Sequence, residues 1–212
     1  KIFGSIPPCT GIFISLMIGI FLVGCCSWVF TRKDGSDLSL SDGFIITVLF
    51  WLVLSLFGAL PFYFLGFSFV DSLFESMSGI TTTGATVFSG LDELDKSVLI
   101  YRQLLQWMGG MGLIVLAIAV MPLLGIGGGQ LFKTQTPGAM SNQKLTPRIT
   151  NTARALWLIY LGLTILCLSS YKLAGMSFFD SFAHALSTVS IGGFSTHDAS
   201  ICLLYTSDAA DE

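Results

Sequence analysis

The chain has 212 residues and a formal net charge of −3, with 53% hydrophobic residues, only 11% charged residues and a mean hydropathy of +0.79. Soluble domains carry roughly 25% charged residues, so this composition excludes a cytosolic enzyme, a disordered tail and a nucleic-acid-binding protein together. Lipid is the implied solvent, and the useful unit is then the spanning helix of about 20 residues.

The first uncharged run, Gly11 to Phe30, is 20 residues long, enough to cross a hydrocarbon core. Within it Leu22-Val23-Gly24-Cys25 has the small-residue spacing of a lipid-modification signal. The run continues apolar past the cysteine, unlike a cleaved signal, which favours helix packing over a lipid anchor. The five cysteines (Cys9, Cys25, Cys26, Cys167, Cys202) show no C-x-x-C spacing and support neither a disulfide framework nor a metal site. The second run, Gly43 to Val70, contains Pro61, which predicts a helix that ends or kinks just before Phe62. A third run, Trp107 to Phe132, follows Arg102, Gln103 and Gln106 and is interrupted by Gly109-Gly110-Met111-Gly112 and Met121-Pro122, which reads as a broken helix. Gly125 to Gly129 reads as either a flexible turn or a gating hinge. Ala155 to Tyr171 is a fourth span, extended by the stem of Arg154.

Arg32, Lys33, Lys133, Lys144, Arg148 and Arg154 cluster in the loops after the first span and before the fourth, and mark the cytoplasmic side. The opposite side carries Asp71, Glu75, Asp92, Glu93, Asp95, Asp180 and Asp198, an acidic vestibule that would raise local cation concentration.

Two segments between the spans carry the chemistry. A shift of 109 residues sets Ser68-Phe69 on Ser177-Phe178, Asp71-Ser72 on Asp180-Ser181, Ser78 on Ser187 and Gly84 on Gly193 without a gap. Such a repeat signals a duplicated unit of span, cap, short helix and returning strand. Asp71 or Ser72 is the expected N-cap, with Ser72 and Glu75 as a capping box. A helix of roughly ten residues from there to Ile80 spans half the hydrocarbon core, and its C-terminal partial negative charge favours a cation at the membrane centre. In the following runs, Thr81 to Thr86 and Ser190 to Ser195, the shared glycine permits a positive φ that turns carbonyls inward, as a filter replacing an ion's hydration shell requires. The expected ligands are the carbonyls of Thr82, Thr83, Ile191 and Gly192, beside Gly84 and Gly193. Helix packing by small residues is the alternative, made weaker by the recurrence.

Gly79 to Thr86 matches the Walker phosphate loop except at the lysine, where Ala85 stands, so that reading fails. Ser78 with His184 could form an intramembrane serine hydrolase, but Ser76 stands where those enzymes need glycine. His197 beside Asp198 reads as a polar rim pair rather than a catalytic dyad.

The residues that resemble a known family are Thr81 to Val87, Gly90 to Leu94, Tyr101-Arg102-Gln103 to Gly112, Leu124 to Gly128, Thr146 to Ile149 and Ile191 to Ser200. Over about Asp42 to Ile201 the chain resembles the Trk/Ktr/HKT superfamily of potassium transporters, and within it the membrane subunit of bacterial Trk systems. The resemblance implies an all-α integral membrane fold of helix, pore-loop, helix units around one pore, as in potassium channels. It implies a homodimer, a cytosolic nucleotide-binding regulatory subunit of Trk A type docked below, and a multi-pass place in the bacterial inner membrane. It further implies potassium ion as substrate, no cofactor, no enzymatic activity, and Gly84 and Gly193 as filter glycines.

The expected layout is 1–30 as the last helix of an extra N-terminal hairpin, 31–132 as the first unit, 133–150 as a cytoplasmic connector and 151–201 as the second unit through its pore loop. The third and fourth units are absent, so the fold is expected to be truncated after the second pore loop. Lys1 is not an initiator residue, and residues 202–212 depart from the family pattern, which suggests a non-native tail.

Overall fold

The computed structural model describes residues 8–31, 40–120 and 145–200. Its regular elements there are all helical: α1 (Pro8–Thr31), α2 (Leu40–Phe64), α3 (Phe69–Ile80), a short turn (Leu91–Glu93), α4 (Lys96–Val120), α5 (Leu145–Leu173) and α6 (Phe178–Val189). Two stretches are long and apolar enough to cross a membrane, Thr47–Phe64 and Asn151–Leu173, and only 28% and 11% of each is buried within the chain. Core helices of soluble proteins pass the same apolar test but are mostly buried. Here Leu158, Ile165 and Leu166 of α5 stand 64%, 65% and 64% exposed, a face that only lipid or another protein surface accommodates.

Two helices depart from what their sequences predict. Pro61 lies inside α2, which continues to Phe64 instead of ending before Phe62. The proline removes only its own N–H, and the last turn closes through Leu65 N donating to the Pro61 and Phe62 carbonyls at 3.1 Å each. The neighbouring Gly58 carbonyl accepts from Tyr101 Oη of α4 at 3.0 Å. Likewise α4 is unbroken through Gly109-Gly110-Met111-Gly112 and begins at Lys96, so Arg102, Gln103 and Gln106 lie within it. Those glycines serve close approach. A Cβ on Gly109 would stand 1.9 Å from the Ile80 carbonyl oxygen at the end of α3, and one on Gly110 would stand 3.0 Å from Ser190 Cβ at the end of α6. The glycine face of α4 is thus wedged between the C-terminal ends of the two short helices. Met121-Pro122 and the Gly125 to Gly129 run lie outside the described residues, as does the tail from Ile201. The last six residues of the predicted connector, 145–150, belong to α5.

The 109-residue repeat is a repeat of backbone geometry. Each unit turns at a left-handed glycine, Gly66 (φ 102°) or Gly175 (φ 95°), before a 12-residue short helix. The caps are Ser68 and Ser177, not Asp71 or Ser72. Ser68 Oγ accepts from Asp71 N at 3.1 Å and donates to Asp71 Oδ2 at 2.7 Å, and Ser177 Oγ does the same with Asp180 at 3.1 and 2.5 Å. Ser72 lies fully buried one turn further on, and Glu75 caps nothing.

Candidate functional site

Both short helices end in the same 6→1 and 5→2 closure. Thr83 N donates to the Ser78 carbonyl at 2.9 Å and Thr82 N to that of Gly79 at 3.0 Å; Gly192 N donates to Ser187 at 2.8 Å and Ile191 N to Thr188 at 3.0 Å. This closure satisfies the helix's terminal carbonyls and needs a left-handed residue after the cap, normally glycine. Thr82 (φ 56°) and Ile191 (φ 57°) occupy that place, although a β-branched side chain strains against it by about 1–2 kcal/mol. Two residues later Gly84 (φ 77°) and Gly193 (φ 84°) are left-handed again. Sequence reasoning found the second pair through glycine and missed the first, which no residue preference announces.

The two loops meet. A Cβ on Gly84 would lie 2.0 Å from the Gly192 carbonyl oxygen, so the first loop's glycine backs onto a carbonyl of the second. All six residues expected at the filter, Thr82, Thr83, Gly84, Ile191, Gly192 and Gly193, therefore fall on two adjoining, matched loops at the ends of helices whose partial negative charge faces them.

Behind the loops lies a polar scaffold. Arg102 and Glu75 are both inaccessible to solvent and pair through Nε and Oε1 at 2.6 Å. Thr86 Oγ1 donates to the Glu75 carboxylate, Val87 N donates to Glu75 Oε2 at 3.2 Å, and Arg102 Nη2 reaches Thr86 Oγ1 at 3.0 Å, which ties down the first return limb. Arg102 Nη1 donates to the Ser195 carbonyl at 3.1 Å, and the guanidinium lies 4.3 Å from the Phe194 ring centroid, which ties down the second limb as well. One turn along α4, Gln106 Oε1 accepts from Ser187 Oγ at 2.7 Å and Phe194 N at 3.2 Å. Glu75 is thus withdrawn from the acidic vestibule that the sequence suggested. The available signal was Arg102, Gln103 and Gln106 inside an otherwise apolar helix, where polar groups are expensive unless paired.

His184 stands one repeat length after Glu75 and lies 3.5 Å from Ser195 Oγ, the counterpart of Thr86. It lines a cavity of about 260 Å³ with Ser187, Thr188, Ile191, Gly192 and Phe194. Ser78 Oγ is buried without a hydrogen-bond partner, so the hydrolase pair Ser78 and His184 is not assembled. Cys25 and Cys26 are exposed within a helix that continues to Thr31. His197 forms a rim contact, but with Asp92 and Asp180 instead of Asp198, whose carboxylate accepts from Leu91 N at 3.0 Å.

The chain is 52% identical over 192 residues to the Trk system potassium uptake protein TrkH of Vibrio parahaemolyticus, covering 89% of this chain and 40% of that protein. It is 54% identical over 181 residues to the protein of the same name from Halomonas elongata, covering 84% and 38%. The crystal structure of the potassium transporter TrkH from Vibrio parahaemolyticus superposes with a TM-score of 0.78 at 48% identity, covering 93% of this chain and 39% of that one. The chain therefore spans about two-fifths of the length of the relatives it matches. The family model TrkH, described as "Cation transport protein", matches residues 10–206, and with the duplicated loops and this degree of identity the chain belongs to the TrkH family of membrane transporters.

Proposed function

We propose that this chain supplies the first two loop-bearing units of a potassium uptake pore, residues 31–132 and 151–201, joined by a cytoplasmic stretch over 133–150 whose last six residues open α5. Potassium is the substrate, no cofactor takes part, and no covalent chemistry is involved. The carbonyls of Thr82, Thr83, Ile191 and Gly192 replace part of the ion's water shell, with Gly84 and Gly193 allowing the backbone to present them. The single observation that carries this reading is the contact between the loops: the Cβ site of Gly84 falls 2.0 Å from the Gly192 carbonyl oxygen, so the glycine sets the position of a neighbouring ligand. The relatives carry the name potassium uptake protein, which agrees with it. A multi-pass place in the bacterial inner membrane, pairing with a second copy, and docking of a cytosolic nucleotide-binding subunit against the basic residues Lys133, Lys144 and Arg148 belong to the same proposal.

The test is Gly84→Ser in the full-length protein. The added Cβ displaces the Gly192 carbonyl, and the expected result is a fall in the potassium to sodium permeability ratio with assembly intact. An unchanged ratio in a folded variant would remove the filter assignment.

A further inference from the structure

The outer ends of both units meet at one histidine. His197 follows Gly193 by four residues and its side chain is 31% exposed. Its Nδ1 meets Asp92 Oδ1 in the short turn of the first unit, and its Nε2 lies 3.2 Å from Asp180 Oδ1 at the first turn of α6. The same junction is held by Thr196 Oγ1 donating to Asp180 Oδ1 at 2.8 Å and by Leu91 N donating to Asp198. A neutral imidazole has one N–H and one lone pair. With a carboxylate oxygen at each ring nitrogen, only the imidazolium donates at both ends. The neutral ring must turn a lone pair toward one of the carboxylates.

We propose that His197 is a positioning residue for the ion pathway: a clasp that ties the first unit to the second when its ring is protonated and lets go of one carboxylate when the ring is neutral. This rests on the potassium reading above. The titratable and charged groups around the ring come from each neighbouring element: Asp92 from the short turn, Asp180 and His184 from α6, and Asp198 beside it, itself within the field of Arg102 from α4. The hydrogen bond with His197 is the largest influence on Asp92 and holds its carboxyl below the ordinary carboxylate range. The contribution of that carboxylate is complete above its ordinary value and is lost only as pH falls through the lowered one. The Asp92 carboxylate therefore stays charged, and the imidazole is the group at this junction whose two charge states differ in the number of ring nitrogens that donate. The sign follows. The clasp is closed at acid pH and opens as external pH rises, which leaves the limb back to Gly193 held by the bonds of Phe194, Ser195 and Thr196 without the histidine.

Two measurements on the full-length protein decide the matter. In proteoliposomes, the potassium to sodium uptake ratio should fall as external pH rises and the ring loses its second proton. His197→Gln, whose amide keeps a donating end and an accepting end at every pH, should flatten that profile, and Asp92→Asn should reduce its amplitude. Nitrogen NMR of the histidine ring in the detergent-solubilised wild type should show both ring nitrogens protonated at the acid end and one at the alkaline end. A pH profile shared by wild type and His197→Gln, or a ring singly protonated throughout, overturns the clasp and leaves the potassium reading standing. Absence of potassium uptake at every pH, with the ring titrating as stated, overturns the potassium reading and supports the clasp.

Discussion

A guanidinium and a carboxylate with no exposure to solvent are costly to bury, and Arg102 and Glu75 offset that cost by hydrogen-bonding each other and both return limbs. Removing one partner leaves the other charged and dry. Arg102→Met or Glu75→Gln alone is expected to cost about 3–5 kcal/mol, whereas the double variant should lose much less than the sum. A denaturant titration of the full-length protein in mixed micelles, run as a double-mutant cycle, checks this, and additive losses would mean that the pair is not coupled. The second unit solves the same problem without an ion pair. His184 stands at the repeat position of Glu75, and Ser195 at that of Thr86. Phe88 N donates to Thr86 Oγ1 and His197 N to Ser195 Oγ, both at 3.1 Å, so the backbone of the two limbs matches while the buried partner differs. Arg102 covers that difference by reaching across to the Ser195 carbonyl.

At the scale of the helix, the N-caps show what was legible in the sequence and what was not. The repeat itself, the two short helices and the left-handed glycines Gly84 and Gly193 follow from the 109-residue shift and from glycine's freedom at positive φ. The capping box was misplaced by one turn because Ser72-x-x-Glu75 fits the motif locally. The shift could have corrected it, since it pairs Glu75 with His184, which cannot close such a box, while it pairs Ser68 and Asp71 with Ser177 and Asp180, which can. Ser68→Ala and Ser177→Ala should therefore each cost about 1 kcal/mol, seen as faster amide exchange over the first turn of α3 or α6. Ser72→Ala should cost almost nothing, because its buried Oγ has no hydrogen-bond partner to lose. Other features are hidden from sequence for a tertiary reason. Gly109-Gly110 looks like a break to local propensity, but the ends of α3 and α6 pressing on α4 require the missing Cβ atoms while the helix continues.

At the scale of the molecule, α4 and its buried polar groups hold two loops in contact, and the exposed apolar faces of α2 and α5 turn outward. The contact has a direction. Gly84 of the first unit backs onto the Gly192 carbonyl of the second, while a Cβ at Gly193, the repeat position of Gly84, would meet nothing within 4 Å among the described residues. In the filter reading proposed above, two matched loops supply oxygens to only part of a ring. An ion that leaves water needs oxygens on all sides, because a charge left partly dry in low dielectric costs several kcal/mol or more, on the order of the whole gain from binding. The 212-residue chain expressed by itself is therefore expected not to support potassium uptake, while a full-length protein containing it does. The check is growth on low potassium in cells that lack their own uptake systems, with membrane insertion of the short chain verified by blotting. Growth restored by the short chain alone would mean that two loops, or two copies of this chain, complete the cage, and the ring of loops around the ion would have to be redrawn.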